Sequence, residues 1–137
     1  MRSNLRYLLD TDTCIYVVNR QPPQVVQRLL QMEPNNVGIS AITGAELQFG
    51  AENSSSQRGK AALAMFLTPL TIVPFGREAM MEYGRLRYFL KSKGTPIGPM
   101  DTLIAAHALA CDLTLVTNNV REFSRVPKLK IENWVGG

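Results

Sequence analysis

Five short apolar runs, separated by longer segments of helical spacing, constrain the fold of this chain more than any other feature. The runs are Tyr7-Leu8-Leu9, Val37-Gly38-Ile39, Thr71-Ile72-Val73, Thr114-Leu115-Val116-Thr117 and Leu129-Lys130-Ile131. Each has strand length and is bounded by polar or turn residues. Helical periodicity covers Thr13 to Asn19, Gln24 to Met32, Gly44 to Glu52, Lys60 to Leu67, Glu78 to Lys93 and Met100 to Ala110, with Pro22-Pro23 suited to the first turn of the second. Strands alternating with helices pair in parallel through crossovers. The expected fold is therefore α/β: a doubly wound, mainly parallel five-stranded sheet with helices on both faces. Ligands of such sheets gather beyond the carboxyl ends of the strands.

With 137 residues, 45% of them hydrophobic and 19% charged, the chain has the size and composition of one cored domain, expected over residues 1–137. No repeat or linker divides it. Fifteen Lys and Arg stand against eleven Asp and Glu, a net charge of +4, and the excess falls entirely in residues 51–137. A basic second half suits a polyanion such as nucleic acid, or is simply a solvated face. Cys14 and Cys111 belong to no Cys-x-x-Cys pair and read as buried thiols in a reducing compartment. No stretch approaches the roughly twenty apolar residues of a membrane span, so a cytosolic protein is expected. The single histidine, His107, excludes a His-pair ribonuclease and a His-rich metal site within one chain. No Gly-x-Ser-x-Gly elbow or phosphate-binding glycine loop is present. Any catalysis therefore falls to carboxylates.

Three carboxylates and an amide follow strands or open helices at the expected ligand edge. Asp10 directly follows the first strand; it emerges into a crevice or caps the next helix. Glu46 lies in Ile42-Thr43-Gly44-Ala45-Glu46-Leu47, where Thr43-x-x-Glu46 also has the spacing of a capping box. Asp101 opens an otherwise apolar helix, where the helix dipole alone favours an acid. Asn119, in Thr117-Asn118-Asn119-Val120-Arg121-Glu122-Phe123, holds a water or metal through its amide oxygen or forms an Asx turn. Carboxylates about 4 Å apart repel by roughly 4 kcal/mol per pair at an effective dielectric near 20. Three in one crevice need protons or a hard divalent cation.

The spacing of Leu8-Leu9-Asp10-Thr11, Ile42-Thr43-Gly44-Ala45-Glu46-Leu47, Ile97-Gly98-Pro99-Met100-Asp101-Thr102 and Leu115-Val116-Thr117-Asn118-Asn119 resembles PIN-domain ribonucleases. More narrowly, it resembles the VapC-type toxins of bacterial toxin–antitoxin pairs. The likeness runs from about Tyr7 to Trp134. It implies Mg²⁺- or Mn²⁺-dependent RNA cleavage, a homodimer, and neutralisation by a co-expressed VapB-like antitoxin. Carried onto this chain, it makes Asp10 and Asp101 the principal metal ligands, Glu46 a ligand or base, and Asn119 a positioner of water or phosphate. Asn119 stands where many PIN domains have Asp, and Asp12 where relatives commonly have Asn. Hydrolysis by water implies 5′-phosphate and 3′-hydroxyl ends, with a tRNA stem-loop as the first candidate substrate.

Two basic segments are candidates for RNA contact: Arg85, Arg87, Lys91 and Lys93, interleaved with Tyr88 and Phe89, and Arg121, Arg125, Lys128 and Lys130 beside the acids. Either is equally readable as a solvated face. His107 lies about 240° around its helix from Asp101, which makes a structural role the expectation. Two other functions compete. Asp10-Thr11-Asp12-Thr13 also fits the Asp-x-Asp-x-Thr motif of haloacid-dehalogenase-like phosphatases, with Asp10 as nucleophile and Asp12 as general acid. The other is a non-catalytic PIN-like module that binds RNA or protein.

Overall fold

The structure, a computed structural model, describes residues 4–136. The ends of the expected domain, residues 1–3 and 137, lie outside the described residues. Five strands, β1 (Tyr7–Leu9), β2 (Val37–Ser40), β3 (Thr71–Val73), β4 (Thr114–Val116) and β5 (Ile131–Glu132), form one sheet in the order β3-β2-β1-β4-β5. Every pairing is parallel, with Tyr7 opposite both Val37 and Thr114. The helices are α1 (Thr11–Asn19), α2 (Pro23–Leu30), α3 (Ala41–Glu52), α4 (Gln57–Leu67), α5 (Arg77–Ser92), α6 (Pro99–Ala110) and the short α7 (Val120–Phe123).

Side-chain alternation along the strands builds two cores. Leu8 and Leu115 point to one face, against Leu86, Leu90, Ile104, Phe123 and Val126 from α5, α6 and the α7 region. Their neighbours Leu9 and Val116, with Val37 and Ile39, point to the other, against Cys14, Val25, Leu47, Leu63 and Trp134. The sheet is thus covered on both faces, as the alternation of elements predicts. Winding reverses direction at β1, so the crevice between the carboxyl ends of β1 and β4 is the topological switch point. No helix among the described residues is long and apolar enough to cross a membrane.

The expected element limits shift where caps and turns decide them. Helix α1 starts at Thr11 because Asp10 caps it, and α3 starts at Ala41 because Ser40 Oγ accepts from the Ile42 amide at 3.0 Å. Residues 120–123 wind into α7 instead of a polar turn, since buried Phe123 pins them to the core. The last strand begins at Ile131, after Lys128 turns the chain at φ 67°. Cys14 is buried as expected, but Cys111 is exposed: it is the C-cap of α6, where the chain turns outward through Asp112 at φ 54°.

Gly38 in β2 is required by a neighbouring strand rather than by its own backbone angles. A Cβ there would stand 2.7 Å from the Thr71 carbonyl oxygen of β3 and 3.1 Å from Leu5 Cδ1. Since the first contact is backbone, relief requires prising β2 from β3. Gly38→Ala is expected to destabilise the fold by about 1–3 kcal/mol, measured by urea denaturation.

Candidate active site

The acids are delivered by strand ends and helix starts on the switch-point side of the sheet. Asp10 is almost fully buried and is the N-cap of α1, its Oδ1 accepting from the Thr13 amide at 2.8 Å. The cap accounts for one oxygen, so capping and a role in the site coexist. Burial pushes the Asp10 carboxyl above its ordinary range, opposed by hydrogen bonds from the Thr117 side chain and the Thr13 amide. The Thr117 hydroxyl also accepts from the Asn119 amide at 2.9 Å, so the end of β4 is tied to Asp10.

Glu46 does not form a capping box. Thr43 lies inside α3, whose cap is Ser40, and Glu46 turns instead toward α1. The Thr11 hydroxyl donates to Glu46 Oε1 at 2.6 Å. Thr11 is the residue after Asp10, so this bond brings the second acid to the carboxyl edge of β1.

Asp101 lies in the first turn of α6. Burial, followed by a hydrogen bond and like charge from Glu122 and then the charges of Asp10 and Glu46, pushes its carboxyl up to about 7. Glu122 is the opposite member of the pair. Its carboxyl is held low by the hydrogen bond from Asp101, the Gly98 amide, Asn119 and Arg125, while burial works against them. The two shifts run in opposite directions, so a proton taken up by this pair favours Asp101 over Glu122. Glu122 Oε1 accepts from the Gly98 amide at 3.1 Å, so the same residue also fixes the start of the helix bearing Asp101.

Asp10, Glu46 and Asp101 thus lie within one electrostatic neighbourhood, and Glu122 joins them as an acid not singled out from the sequence. A cue existed: Glu122 is three residues beyond Asn119, but only α7 turns it inward. The Asn119 amide group donates to Glu122 Oε2 at 3.4 Å, so this side chain is engaged with an acid. Among the described residues, no three His, Cys, Asp or Glu side chains are gathered closely enough to hold one ion directly. The donors present are hard oxygens with excess negative charge, which suits a hydrated Mg²⁺ taking one or two carboxylates.

The candidate cations differ in availability. Arg85 is paired with Glu82 at 2.8 Å, whereas Arg87 donates to the Tyr83 hydroxyl and Lys93 lies 5.6 Å from the Phe89 ring centroid. Arg87 and Lys91 rim a cavity of about 250 Å³ walled by Leu90, Pro96, Ile97 and Pro99, against the first turn of α6. Tyr88 is 74% exposed, so it is not a core residue. Arg125 donates to the Pro96 carbonyl at 3.0 Å, and Arg121 is exposed on α7.

The PIN domain family matches residues 7–129 of this chain. Ribonuclease VapC2 of Rickettsia felis is 43% identical over 130 residues, 93% of this chain and 97% of the relative. The tRNA(fMet)-specific endonuclease VapC of Salmonella typhimurium is 39% identical over 131 residues, 95% and 98% of the two chains. The structure of VapBC2 from Rickettsia felis bound to a promoter DNA fragment superposes with a TM-score of 0.89 at 41% identity, covering 95% of this chain and 99% of that one. These matches overturn the phosphatase reading of Asp10-Thr11-Asp12, and Asp12 is exposed on α1. With its switch-point acids and its match across nearly the whole sequence, the chain belongs to the PIN domain family, in the VapC branch of ribonucleases.

Proposed function

We propose that this chain is a Mg²⁺- or Mn²⁺-dependent endoribonuclease toxin. It cleaves RNA in the cytoplasm, first a tRNA stem-loop, leaves 5′-phosphate and 3′-hydroxyl ends, and stops translation and growth. The observation that carries this reading is the convergence on Asp101 of like charge from Asp10, Glu46 and Glu122. Such a cluster is stable at neutral pH when a cation or a proton compensates it. Asp10 and Asp101 would hold the metal, with Glu46 reaching it through a bound water, as an outer ligand or as the base. A divalent ion held there would supply activation of water as a nucleophile and compensation for charge on the phosphoryl oxygens.

The remaining work belongs to side chains. Thr11 holds Glu46 at 2.6 Å, which ties this acid to the residue next to Asp10 and leaves its second carboxylate oxygen for the reaction. Asn119 positions water or phosphate at the mouth, and Glu122 sets the proton state of Asp101. Arg85, Arg87, Lys91, Lys93, Arg121 and Arg125 contact the RNA backbone, Arg87 and Lys91 foremost because their cavity adjoins the helix of Asp101. Changing both Arg87 and Lys91 to Gln is expected to raise KM by about tenfold and reduce the salt slope of binding by about 1.5, with kcat nearly unchanged. Filter binding and initial rates over a salt series measure both.

The partners follow from the relatives, whose structures are of VapBC assemblies. We propose a homodimer and a complex with a VapB-like antitoxin. A groove of about 240 Å³ between α1, α3 and α4, lined by Ile15, Leu47 and Leu63, runs up to Thr11 and Glu46. An apolar antitoxin segment laid there reaches the acids. The deciding experiment incubates purified protein with total tRNA and Mn²⁺ and maps the ends produced. Ligatable 5′-phosphates and free 3′-hydroxyls are expected. Ends carrying 2′,3′-cyclic phosphate would overturn the mechanism, and RNA binding without cleavage would favour a non-catalytic module.

A further inference from the structure

His107 has no part in the chemistry above, yet it is the polar exception on a buried helix face. It is fully buried in α6 between Ile104, Ala105, Ala106 and Ala108. Its Nδ1 stands 2.7 Å from Ser40 Oγ, across 67 residues of sequence. Its Nε2 has no hydrogen-bond partner of ordinary geometry among the described residues, although the Pro74 carbonyl interacts with the ring, and Phe75 meets it edge-on at 5.2 Å. A buried imidazole satisfied on one side only is costly, and a leucine would fill this site more cheaply.

The Ser40 hydroxyl indicates what the cost secures. Its oxygen already accepts from the Ile42 amide as the cap of α3. A hydroxyl has one proton and two lone pairs, and the Pro74 carbonyl can accept only from a ring N–H; with Nδ1 facing Ser40, the arrangement that uses every group protonates Nε2 and has Ser40 donate to a bare Nδ1. The ring is then neutral with its proton on Nε2. Burial agrees, holding the His107 pKa below its ordinary value against the opposing Pro74 carbonyl. The hydrogen bond therefore joins α6, which bears Asp101, to the cap of α3, which bears Glu46 and follows β2 with no intervening loop.

We propose that His107 is a positioning residue, whose hydrogen bond to Ser40 sets the mutual orientation of the helices that carry Asp101 and Glu46. The proposal rests on the nuclease reading for its catalytic consequence only. Each acid lies six residues from its anchor, about 9 Å along a helix. A change of roughly 6° in helix tilt at either anchor moves a carboxylate by about 1 Å, and displacement of that size costs catalysis on the order of a hundredfold.

His107→Leu keeps the volume and removes the bond; His107→Gln restores an acceptor for the Ser40 hydroxyl; Ser40→Ala removes the bond from the other side and serves if the leucine variant does not fold. The expected result is a kcat reduced by about 10- to 100-fold in His107→Leu with KM unchanged, Mn²⁺ affinity by calorimetry about tenfold weaker, and most of both losses recovered in His107→Gln. The Ile42 amide of His107→Leu should exchange about tenfold faster than in wild type, and ¹⁵N shifts of wild type should show protonated Nε2 and bare Nδ1. Wild-type kcat and Mn²⁺ affinity in His107→Leu, or a proton on Nδ1, overturn the proposal. If wild type neither cuts RNA nor binds Mn²⁺, the nuclease reading fails, and the link between helices stands or falls on the exchange and tautomer results.

Discussion

Asp101→Asn is expected to lower kcat for RNA cleavage by on the order of 10³-fold, about 4 kcal/mol of transition-state stabilisation, while leaving the protein folded. The substitution keeps the shape of the side chain and a donor toward Glu122, and removes the ionisable carboxyl on which the metal proposal depends. It should also change the response of stability to pH. Asp101 is pushed up to about 7 in the folded protein, above an ordinary value of 3.8, so between those limits the folded state binds more protons than the unfolded one. Stability contributed by this group is therefore full below about pH 4 and lost as pH rises through 7. In metal-free buffer the wild type should lose melting temperature relative to Asp101→Asn across that window, and Mn²⁺ should close the gap. The comparison cancels His107, whose lowered pKa acts in the opposite direction in both proteins. A flat difference between the two melting curves, together with undiminished cleavage by Asp101→Asn, removes this residue from the site.

Phe123→Ala should produce the largest loss of stability. Phe123 is 1% exposed and shares a core cluster with Leu8, Leu86, Leu90, Ile104, Leu115 and Val126, where α7 meets β1, β4, α5 and α6. Emptying such a position costs about 3–5 kcal/mol, a large part of the 5–15 kcal/mol that typically holds a domain together. For a chain of this length that corresponds to a melting temperature lower by roughly 10–20 °C. Helix α7 has only four residues and depends on this ring for its position. Glu122 beside it holds the Gly98 amide, so the start of α6 should loosen as well. Activity should then fall by more than the unfolded fraction accounts for. Circular dichroism melts and initial rates at 20 °C test both statements; a decrease of less than about 3 °C would show that the ring carries little of this packing.

Much of the candidate site was legible because its residues sit at positions that one-dimensional patterns mark. Asp10 follows a strand, Asp101 opens an apolar helix, and the Leu-Leu-Asp and Gly-Pro-Met-Asp stretches carry the family likeness. Glu46 was located for a sound reason but given a competing one that fails: Thr43-x-x-Glu46 is a capping box only if the helix starts at Thr43, and Ser40 starts it earlier. Glu122 escaped notice because a polar turn and a short helix look alike in sequence, and only the burial of Phe123 decides between them. Cys111 was misjudged for a related reason, since the direction in which a helix end exits depends on the residues packed beneath it.

Periodicity, strand length and the order of elements, all local properties of the sequence, determined an α/β chain with a parallel sheet and acids at one edge. Tertiary structure alone decided which acids share a field, that a proton favours Asp101 over Glu122, and that Ser40 and His107 meet although 67 residues separate them. The physical reason is range. Helix and strand preferences arise from residues a few positions apart, whereas desolvation and Coulomb interactions act through space between groups that the chain brings together only on folding.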